Sequence, residues 1–178
     1  MADELLDIVD EHNELTGETA LRSKIHATEI WHRTVNLFIF RKNDSKLEFL
    51  LQLRAKNKDL DPNTWDTHFG GHVRAGETTD AALATEIQEE LGIKLNPVKL
   101  LPGPCYKRVI DEHHDFNQIF FWEFEGQETD LKFSDSEVQE IKWMAADEIL
   151  ASIKSNPKLW SGGAHRFDVI MESFPQDI

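Results

Sequence analysis

Residues 71–93 read GHVRAGETTDAALATEIQEELGI, and this stretch decides the fold of the chain. Its second half combines good helix formers with apolar residues about one turn apart, which is typical of an amphipathic helix. A threonine hydroxyl, from Thr78 or its neighbour, can cap the helix start, and Gly92 can end it in a left-handed conformation. We therefore predict a helix over Thr79–Leu91 that follows a glycine-bearing loop over Gly70–Gly76.

Three glutamates lie close together on this predicted helix. At about 100° per residue, Glu86 and Glu90 are one turn apart and Glu89 lies beside them, so three carboxylates share a narrow arc. They repel one another, and neither Lys nor Arg lies within one turn of Glu86 to offset this. Mg²⁺ and Mn²⁺ favour such oxygen ligands, whereas paired glutamates on helices are more often solvated surface. The helix alone leaves both interpretations open.

The spacing upstream of the glutamates favours the metal site. Eight residues fit the pattern G-x5-E-x7-R-E-U-x-E-E-x-G-U, in which U is aliphatic: Gly71, Glu77, Glu86, Ile87, Glu89, Glu90, Gly92 and Ile93. This pattern resembles the Nudix box, and Thr85 departs from it where the box has Arg. The resemblance implies an α/β protein with the Nudix fold, an α/β/α sandwich with a mixed sheet, forming one domain over residues 1–178.

The resemblance also implies an activity. Nudix hydrolases cleave the diphosphate linkage of small nucleoside diphosphate derivatives with Mg²⁺ or Mn²⁺ as cofactor. On this basis Glu86, Glu89 and Glu90 are expected to be catalytic and to hold the metal, and the Gly71 carbonyl to add a backbone ligand. Such chemistry needs a carboxylate cluster because cations must neutralise the diphosphate oxygens before water attacks.

A general base must also take a proton from the attacking water. Glu86 is the candidate within the box, and Glu112 or Asp115, in a predicted loop before a strand, is the alternative. The sequence does not choose between them. The other box residues, Glu77 and Gly92, are expected to have structural roles.

Most of the chain resembles one branch of this family. The segments HATEIWHRTVNLFIF, LLQLRAKNK and WDTHFGGHVRAGE are similar to the type I isopentenyl-diphosphate isomerases and to the Nudix hydrolases like them. In those isomerases three histidines and two acidic residues hold a metal. His26, His32 and His72 match the histidines approximately, and Asp115 and Asn117 stand where the acids do, so one acid is retained.

The histidines also have a simpler interpretation. His72 can hydrogen-bond within its loop, and His113 and His114 are expected to be exposed loop residues. We therefore keep the histidines outside the predicted metal site.

One position separates hydrolase from isomerase. The catalytic cysteine of the isomerases corresponds to Gly70, and a glycine cannot donate a proton to an alkene. The isomerases also lack the full set of box glutamates that this chain keeps. We therefore predict a hydrolase. A third hypothesis, a Nudix module that binds a nucleotide without turnover, is supported by Thr85 alone.

Two cations are predicted to contact the substrate. Arg54 ends an apolar strand and Lys58 follows it in a loop, and in the isomerase-like branch a matching Arg and Lys contact diphosphate. The alternative is that both are solvated loop charges. Other candidates are Lys107 and Arg108 for phosphate, and three aromatic residues in predicted loops that could stack on a base or be buried: Trp65, Phe69 and Tyr106.

The missing box arginine leaves a question. In the family this Arg pairs with nearby glutamates and orients them, which Thr85 cannot do. We expect the Thr85 hydroxyl to bond back to the Ala81 carbonyl. Either another cation substitutes, with Arg74 on the preceding loop as the candidate, or the site is less well organised. We favour Arg74 because all of the ligand carboxylates are present.

Composition excludes several classes of protein. Among 178 residues there are 19 Lys and Arg against 33 Asp and Glu, a formal net charge of −14. Because this surface repels phosphate backbones, we predict a small-molecule diphosphate substrate and no nucleic-acid polymer. Cys105, the single cysteine, is expected to be buried in a protein of a reducing compartment. The sequence shows neither a basic leader nor a long apolar run, which predicts a cytoplasmic protein that does not bind membranes and leaves a homodimer open.

Apolar periodicity predicts the remaining elements. Strands are expected at Leu5–Val9, Thr34–Phe40, Phe49–Leu53, Phe116–Phe124 and Val138–Met144. Helices are expected at Ala146–Ile153 and Phe167–Phe174.

Overall fold

The computed structural model describes residues 3–44, 46–58, 60–110, 113–132 and 138–175. Its strands are β1 (Leu5–Val9), β2 (Leu15–Leu21), β3 (His32–Asn43), β4 (Lys46–Arg54), β5 (Trp65–Asp66), β6 (Phe69–His72), β7 (Leu101–Ile110), β8 (His113–Glu123) and β9 (Val138–Ala145). Its helices are α1 (Arg22–His26), α2 (Thr79–Leu91), α3 (Ala146–Ser155) and α4 (Phe167–Glu172).

Strand β3 is the centre of a mixed sheet. It pairs antiparallel with β4 and β6 and parallel with β8. Strand β7 pairs with the far side of β8, and β5 and β9 both pair with β4. β3 can take this central place because Val35 and the run Leu37–Phe40 are all buried, as expected for a strand that is covered on both faces.

Helices cover both faces of this sheet. Successive side chains of β3 point to opposite faces, so Leu37 and Ile39 pack under α2, whereas Phe38 and Phe40 pack under α3 and α4. The residues of the helices that fill the two cores are Ala82, Leu83, Ile87 and Leu91 on one side, and Ile149, Phe167 and Ile170 on the other. The predicted α/β/α sandwich with a mixed sheet is confirmed.

The hairpin of β1 and β2 forms a separate two-stranded sheet that lies on the loop before α2. Leu6 forms an isolated β-bridge with Arg74, and the Ala75 amide donates to the Leu5 carbonyl at 2.8 Å. The Gly76 amide donates to Asp7 Oδ2, also at 2.8 Å. The N-terminal hairpin therefore fixes the path of this loop.

Several parts of the chain differ from the sequence predictions, among them helix α1 and three of the strands. The first residues of the predicted loop Gly70–Gly76 belong to strand β6. The sequence did not predict this strand because its glycine pair hides the strand pattern. Strand β2 escapes prediction because most of its residues are exposed and give little apolar alternation. Strand β7 is interrupted by a register shift between Pro102 and Cys105. The sequence did not predict this strand because its prolines are typical of a loop. Cys105 is exposed there, so its predicted burial is wrong.

Within the described residues, no helix combines the length and apolar character that a bilayer span requires.

Candidate active site

Helix α2 has the predicted bounds and caps. The Thr78 hydroxyl accepts a hydrogen bond from the Ala81 amide at 3.3 Å, and Gly92 ends the helix at φ 67°. The Thr85 hydroxyl donates to the Ala81 carbonyl at 3.1 Å, which confirms the expected back-bond. The hydroxyl of Thr85 therefore hydrogen-bonds within its own helix.

The three box glutamates differ in burial. Glu89 is exposed, Glu86 is half-buried, and Glu90 is 4% exposed. Glu90 Oε2 accepts a hydrogen bond of 3.2 Å from the Gly70 amide, which ties α2 to strand β6. The carboxylates thus reach from the sheet edge outwards to solvent along one face of the helix.

Gly71 lies directly against Glu86. A methyl group at Gly71 would be 2.7 Å from the Glu86 carboxyl carbon and 2.8 Å from each of its oxygens. The absence of a side chain at Gly71 is what lets the carboxylate approach the backbone of β6. The donor set here, carboxylate oxygens beside a backbone segment, suits a hard divalent cation such as Mg²⁺ or Mn²⁺.

The loop between β6 and α2 is closed by a reciprocal contact. The Arg74 amide donates to Glu77 Oε2 at 3.3 Å, and the Glu77 amide donates to the Arg74 carbonyl at 3.0 Å. Glu77 thus contacts the backbone of the loop, which is consistent with the structural role expected for it.

Arg74 reaches the carboxylates of α2. Its Nη2 atom lies 3.7 Å from Glu89 Oε2 and 4.0 Å from Glu86 Oε1. Its Nε atom donates to Glu4 Oε1 at 2.9 Å. Sequence reasoning selected Arg74 but missed Glu4, because nothing local connects Glu4 to a loop 70 residues away.

Three histidines meet on the hairpin side of β6. Single ligand atoms of His26, His32 and His72 all lie within 4.8 Å of one another, an arrangement that could hold a metal ion. Burial lowers the pKa of His26 to about 4 and that of His72 well below its ordinary value, so these rings are neutral near pH 7. Neutral imidazoles suit borderline metals such as Zn²⁺ better than Mg²⁺.

The sequence predicted that His113 and His114 are exposed loop residues, and this prediction is wrong. His113 and His114 open strand β8 and are half-buried. The His113 ring centroid is 4.5 Å from that of His26, and the His114 centroid is 4.8 Å from the Trp31 ring. Their position in a paired strand explains the difference.

Asp115 is engaged elsewhere. It is 4% exposed, lies within strand β8 rather than in a loop, and accepts hydrogen bonds from Arg108 Nε at 2.9 Å and from the Thr34 hydroxyl. Both of its carboxylate oxygens are therefore engaged by Arg108, and one also accepts from Thr34. The structure thus argues against Asp115 as the general base, whereas Glu112 lies outside the described residues.

Of the two predicted substrate cations, Arg54 ends strand β4 and Lys58 lies in the loop that follows it. Arg54 Nη2 donates to the Leu60 carbonyl at 3.0 Å, and its Nη1 is 3.5 Å from Asp66 Oδ2. Lys58 is half-buried in the following loop. Of the other candidates, Arg108 is paired with Asp115, and Lys107 donates to the Glu11 carbonyl at 2.7 Å.

Of the aromatic candidates, Phe69 is fully buried in the core under α2 and is not available to stack on a base. The Lys142 ammonium lies over the ring of Trp65, 3.6 Å from the ring centroid. Tyr106 lies on strand β7, half-buried against the core under α3 and α4.

Comparison with known proteins gives the family. The family model for the NUDIX domain matches residues 30–162, and the chain belongs to this family. It is 32% identical over 145 residues to an uncharacterised Nudix hydrolase of Listeria monocytogenes, covering 82% of each protein. It is 28% identical over 162 residues to isopentenyl-diphosphate Delta-isomerase 2 of Photorhabdus laumondii, covering 89% of this chain and 87% of that one. The expected resemblance to both groups is confirmed.

Other relatives differ more in length or in sequence. Nudix hydrolase 3 of Arabidopsis thaliana is 39% identical over 95 residues, 53% of this chain, yet the match spans only 12% of that protein. A crystal structure from Deinococcus radiodurans superposes with a TM-score of 0.75 at 21% identity, covering 97% of this chain and all of the other. The NUDIX domain of Shewanella oneidensis NrtR, solved with ADP ribose, gives 0.58 at 15% identity, covering 80% of this chain and 88% of that one. These structures agree with the fold.

Proposed function

We propose that the protein hydrolyses the diphosphate linkage of a small nucleoside diphosphate derivative with Mg²⁺ or Mn²⁺. One observation carries the proposal: the carboxylates of Glu86 and Glu89 lie within 4.0 Å of the same Arg74 nitrogen, and Glu86 also lies against Gly71. A purely solvated helix face would let these like charges separate.

The metal ligands would be Glu86, Glu89, Glu90 and the Gly71 carbonyl. A divalent cation supplies Lewis-acid activation of the diphosphate and of the attacking water. The chain's own residues fix where this happens, because Glu90 is tied to the backbone of β6 and Glu86 rests on Gly71. Glu86 is the proposed general base, since Asp115 is occupied by Arg108.

The proposed substrate is a small diphosphate compound rather than a polymer. The formal net charge of −14 opposes binding to nucleic acids. The ADP ribose bound to the related domain from Shewanella oneidensis suggests one compound of this class to test. Arg54 and Lys58 are the proposed contacts to the diphosphate, and the protein is proposed to act in the cytoplasm.

The backbone geometry of Gly70 argues against the isomerase reaction. Gly70 has φ 139°, and a Cβ atom there would lie 2.1 Å from the Val35 carbonyl oxygen. A cysteine therefore cannot occupy this position without displacing strand β3, which pairs directly with β6. The chain is built around glycine where the isomerase chemistry needs a thiol.

The test is a substrate screen with Mg²⁺ and with Mn²⁺ in ¹⁸O-labelled water. The panel contains ADP ribose, nucleotide sugars, dinucleoside polyphosphates, nucleoside diphosphates and isopentenyl diphosphate. We expect the label in a phosphate-containing product, because the nucleophile is water. Exchange of substrate hydrogens with deuterated solvent, without cleavage, would instead identify an isomerase. Tight nucleotide binding without turnover would identify a binding module, and repeating the assay over a range of protein concentrations tests for a homodimer.

A further inference from the structure

The Nudix box of this chain has no arginine at the helix position where the pattern has one. Thr85 stands where the pattern has Arg, and its hydroxyl is bonded to the Ala81 carbonyl of the preceding turn. The like charges of Glu86 and Glu89 repel each other, and a nearby cation would stabilise their approach.

Arg74 is in the right place and has the right shape. Its Nη2 lies between the two carboxylates, 3.7 Å from Glu89 and 4.0 Å from Glu86. Its Nε, on another edge of the planar guanidinium, donates to Glu4. A guanidinium can serve three acceptors at once because its five donors point in fixed directions.

Glu4 is held in turn by the N-terminal hairpin. It directly precedes β1, which forms a bridge to Arg74 at Leu6 and accepts hydrogen bonds from the two amides that follow Arg74. The Glu4 side chain is 23% exposed, and its other oxygen is 3.8 Å from His72 Nδ1. These contacts hold the start of β1 beside the loop, and there the Glu4 carboxylate accepts the hydrogen bond from Arg74 Nε.

We propose that Glu4 and Arg74 form a positioning pair that replaces the missing box arginine and aligns Glu86 and Glu89 for the metal. Glu4 lies outside residues 30–162, the part of the chain that matches the family model. The N-terminal hairpin is then a working part of the active site rather than an appendage. This inference rests on the metal site of the proposed function.

A simpler role for Arg74 predicts the opposite effect on metal binding. If the guanidinium were only a counter-ion, it would compete with the metal for the carboxylates, and its removal would tighten Mn²⁺ binding. If it aligns the ligands, its removal leaves them free to separate, and Mn²⁺ binding weakens. The sign of the change decides between the two roles.

The experiment measures Mn²⁺ affinity by calorimetry, without substrate, on the full chain. We expect Arg74→Ala to weaken Mn²⁺ binding by roughly tenfold, as is typical when a group that orients metal ligands is lost. Glu4→Gln should weaken it several-fold. Glu18→Gln, an exposed acid on β2 of the same hairpin, is the matched control and should change nothing.

Rescue separates positioning from general damage to the fold. Thr85→Arg places a guanidinium one turn before Glu89, so the double variant Arg74→Ala, Thr85→Arg should recover most of the lost affinity. Unchanged or tighter Mn²⁺ binding in Arg74→Ala, or no recovery in the double variant, would overturn the proposal, and an unaffected Glu4→Gln protein would remove Glu4 from it. Since substrate is absent, a failed substrate screen would count against the proposed function alone.

Discussion

Gly71 packs against the carboxylate of Glu86 so closely that there is no room for a side chain at position 71. A methyl group added to Gly71 would meet the Glu86 carboxyl carbon at 2.7 Å, well inside ordinary van der Waals contact. This contact joins the first glycine of the box to its central glutamate. The contact gives a physical reason for the glycine of the pattern at position 71, although no turn at this end of β6 requires one.

Gly71→Ala should therefore impair the metal site while leaving the fold intact. The Glu86 side chain is the flexible partner and will move, so we expect turnover to fall by roughly tenfold or more and the apparent Mg²⁺ requirement to rise. Initial rates over a metal titration measure both. Gly162→Ala is the matched control, because its added methyl group would meet Asp61 Oδ2 at an ordinary 3.5 Å. Equal rates in the two variants would contradict the assignment of Glu86.

Loss of charge at Glu90 should separate activity from stability. We expect Glu90→Gln to lower turnover by about a hundredfold, because it removes a metal ligand. The melting temperature without metal should stay constant or rise slightly, since an amide oxygen can still accept from the Gly70 amide while the repulsion within the cluster falls. Glu89→Gln should act similarly, and the exposed Glu140→Gln serves as the control. Full activity in both box variants would remove these glutamates from the mechanism.

Gly70→Cys should damage the fold rather than create an isomerase. The positive φ and the overlap with the Val35 carbonyl together predict a loss of at least about 2 kcal/mol in the free energy of unfolding. Chemical denaturation measures this loss, and solvent deuterium exchange into isopentenyl diphosphate reports any isomerase activity. Gly162→Cys, at an exposed position, should unfold like the parent protein. A stable Gly70→Cys protein that exchanges deuterium would show that the strand tolerates the thiol.

The buried histidines predict a loss of stability in acid. Burial lowers the pKa of His26 from 6.5 to about 4 and lowers the pKa of His72 as well. The unfolded chain therefore binds more protons than the folded protein between those values, and stability falls as pH drops from 6.5 towards 4. Melting temperatures of chelator-treated protein over this range measure the slope.

Variants assign that slope to the cluster. His26→Asn should flatten the pH dependence, because it removes a group that takes up its proton at a higher pH in the unfolded chain than in the folded protein. The exposed His165→Gln is the control and should keep the parent slope. A parent-like slope in His26→Asn would mean that other groups cause the acid sensitivity.

Local sequence pattern determined helix α2. Helix period, a capping threonine and a terminal glycine fix Thr79–Leu91 without reference to the rest of the chain, because their contacts span four residues or fewer. The same holds for the Thr85 back-bond. The identity of the three carboxylates and the family also follow from spacing along one segment. Strand β7 could not be predicted in this way, since its prolines mask a pairing that only β8 completes.

Tertiary structure alone decided which distant polar groups meet. The three histidines come together from helix α1 and strands β3 and β6. The pairing of Arg108 with Asp115 depends on the register of β7 and β8, and the approach of Glu4 to Arg74 depends on the bridge between Leu6 and Arg74. A shift of one residue in any of those pairings would send the side chain to the opposite face. Sequence periodicity specifies which face of an element is apolar, but not which distant polar group stands opposite it. The three box carboxylates could therefore be identified from the sequence, whereas the polar groups that meet only in the folded chain could not.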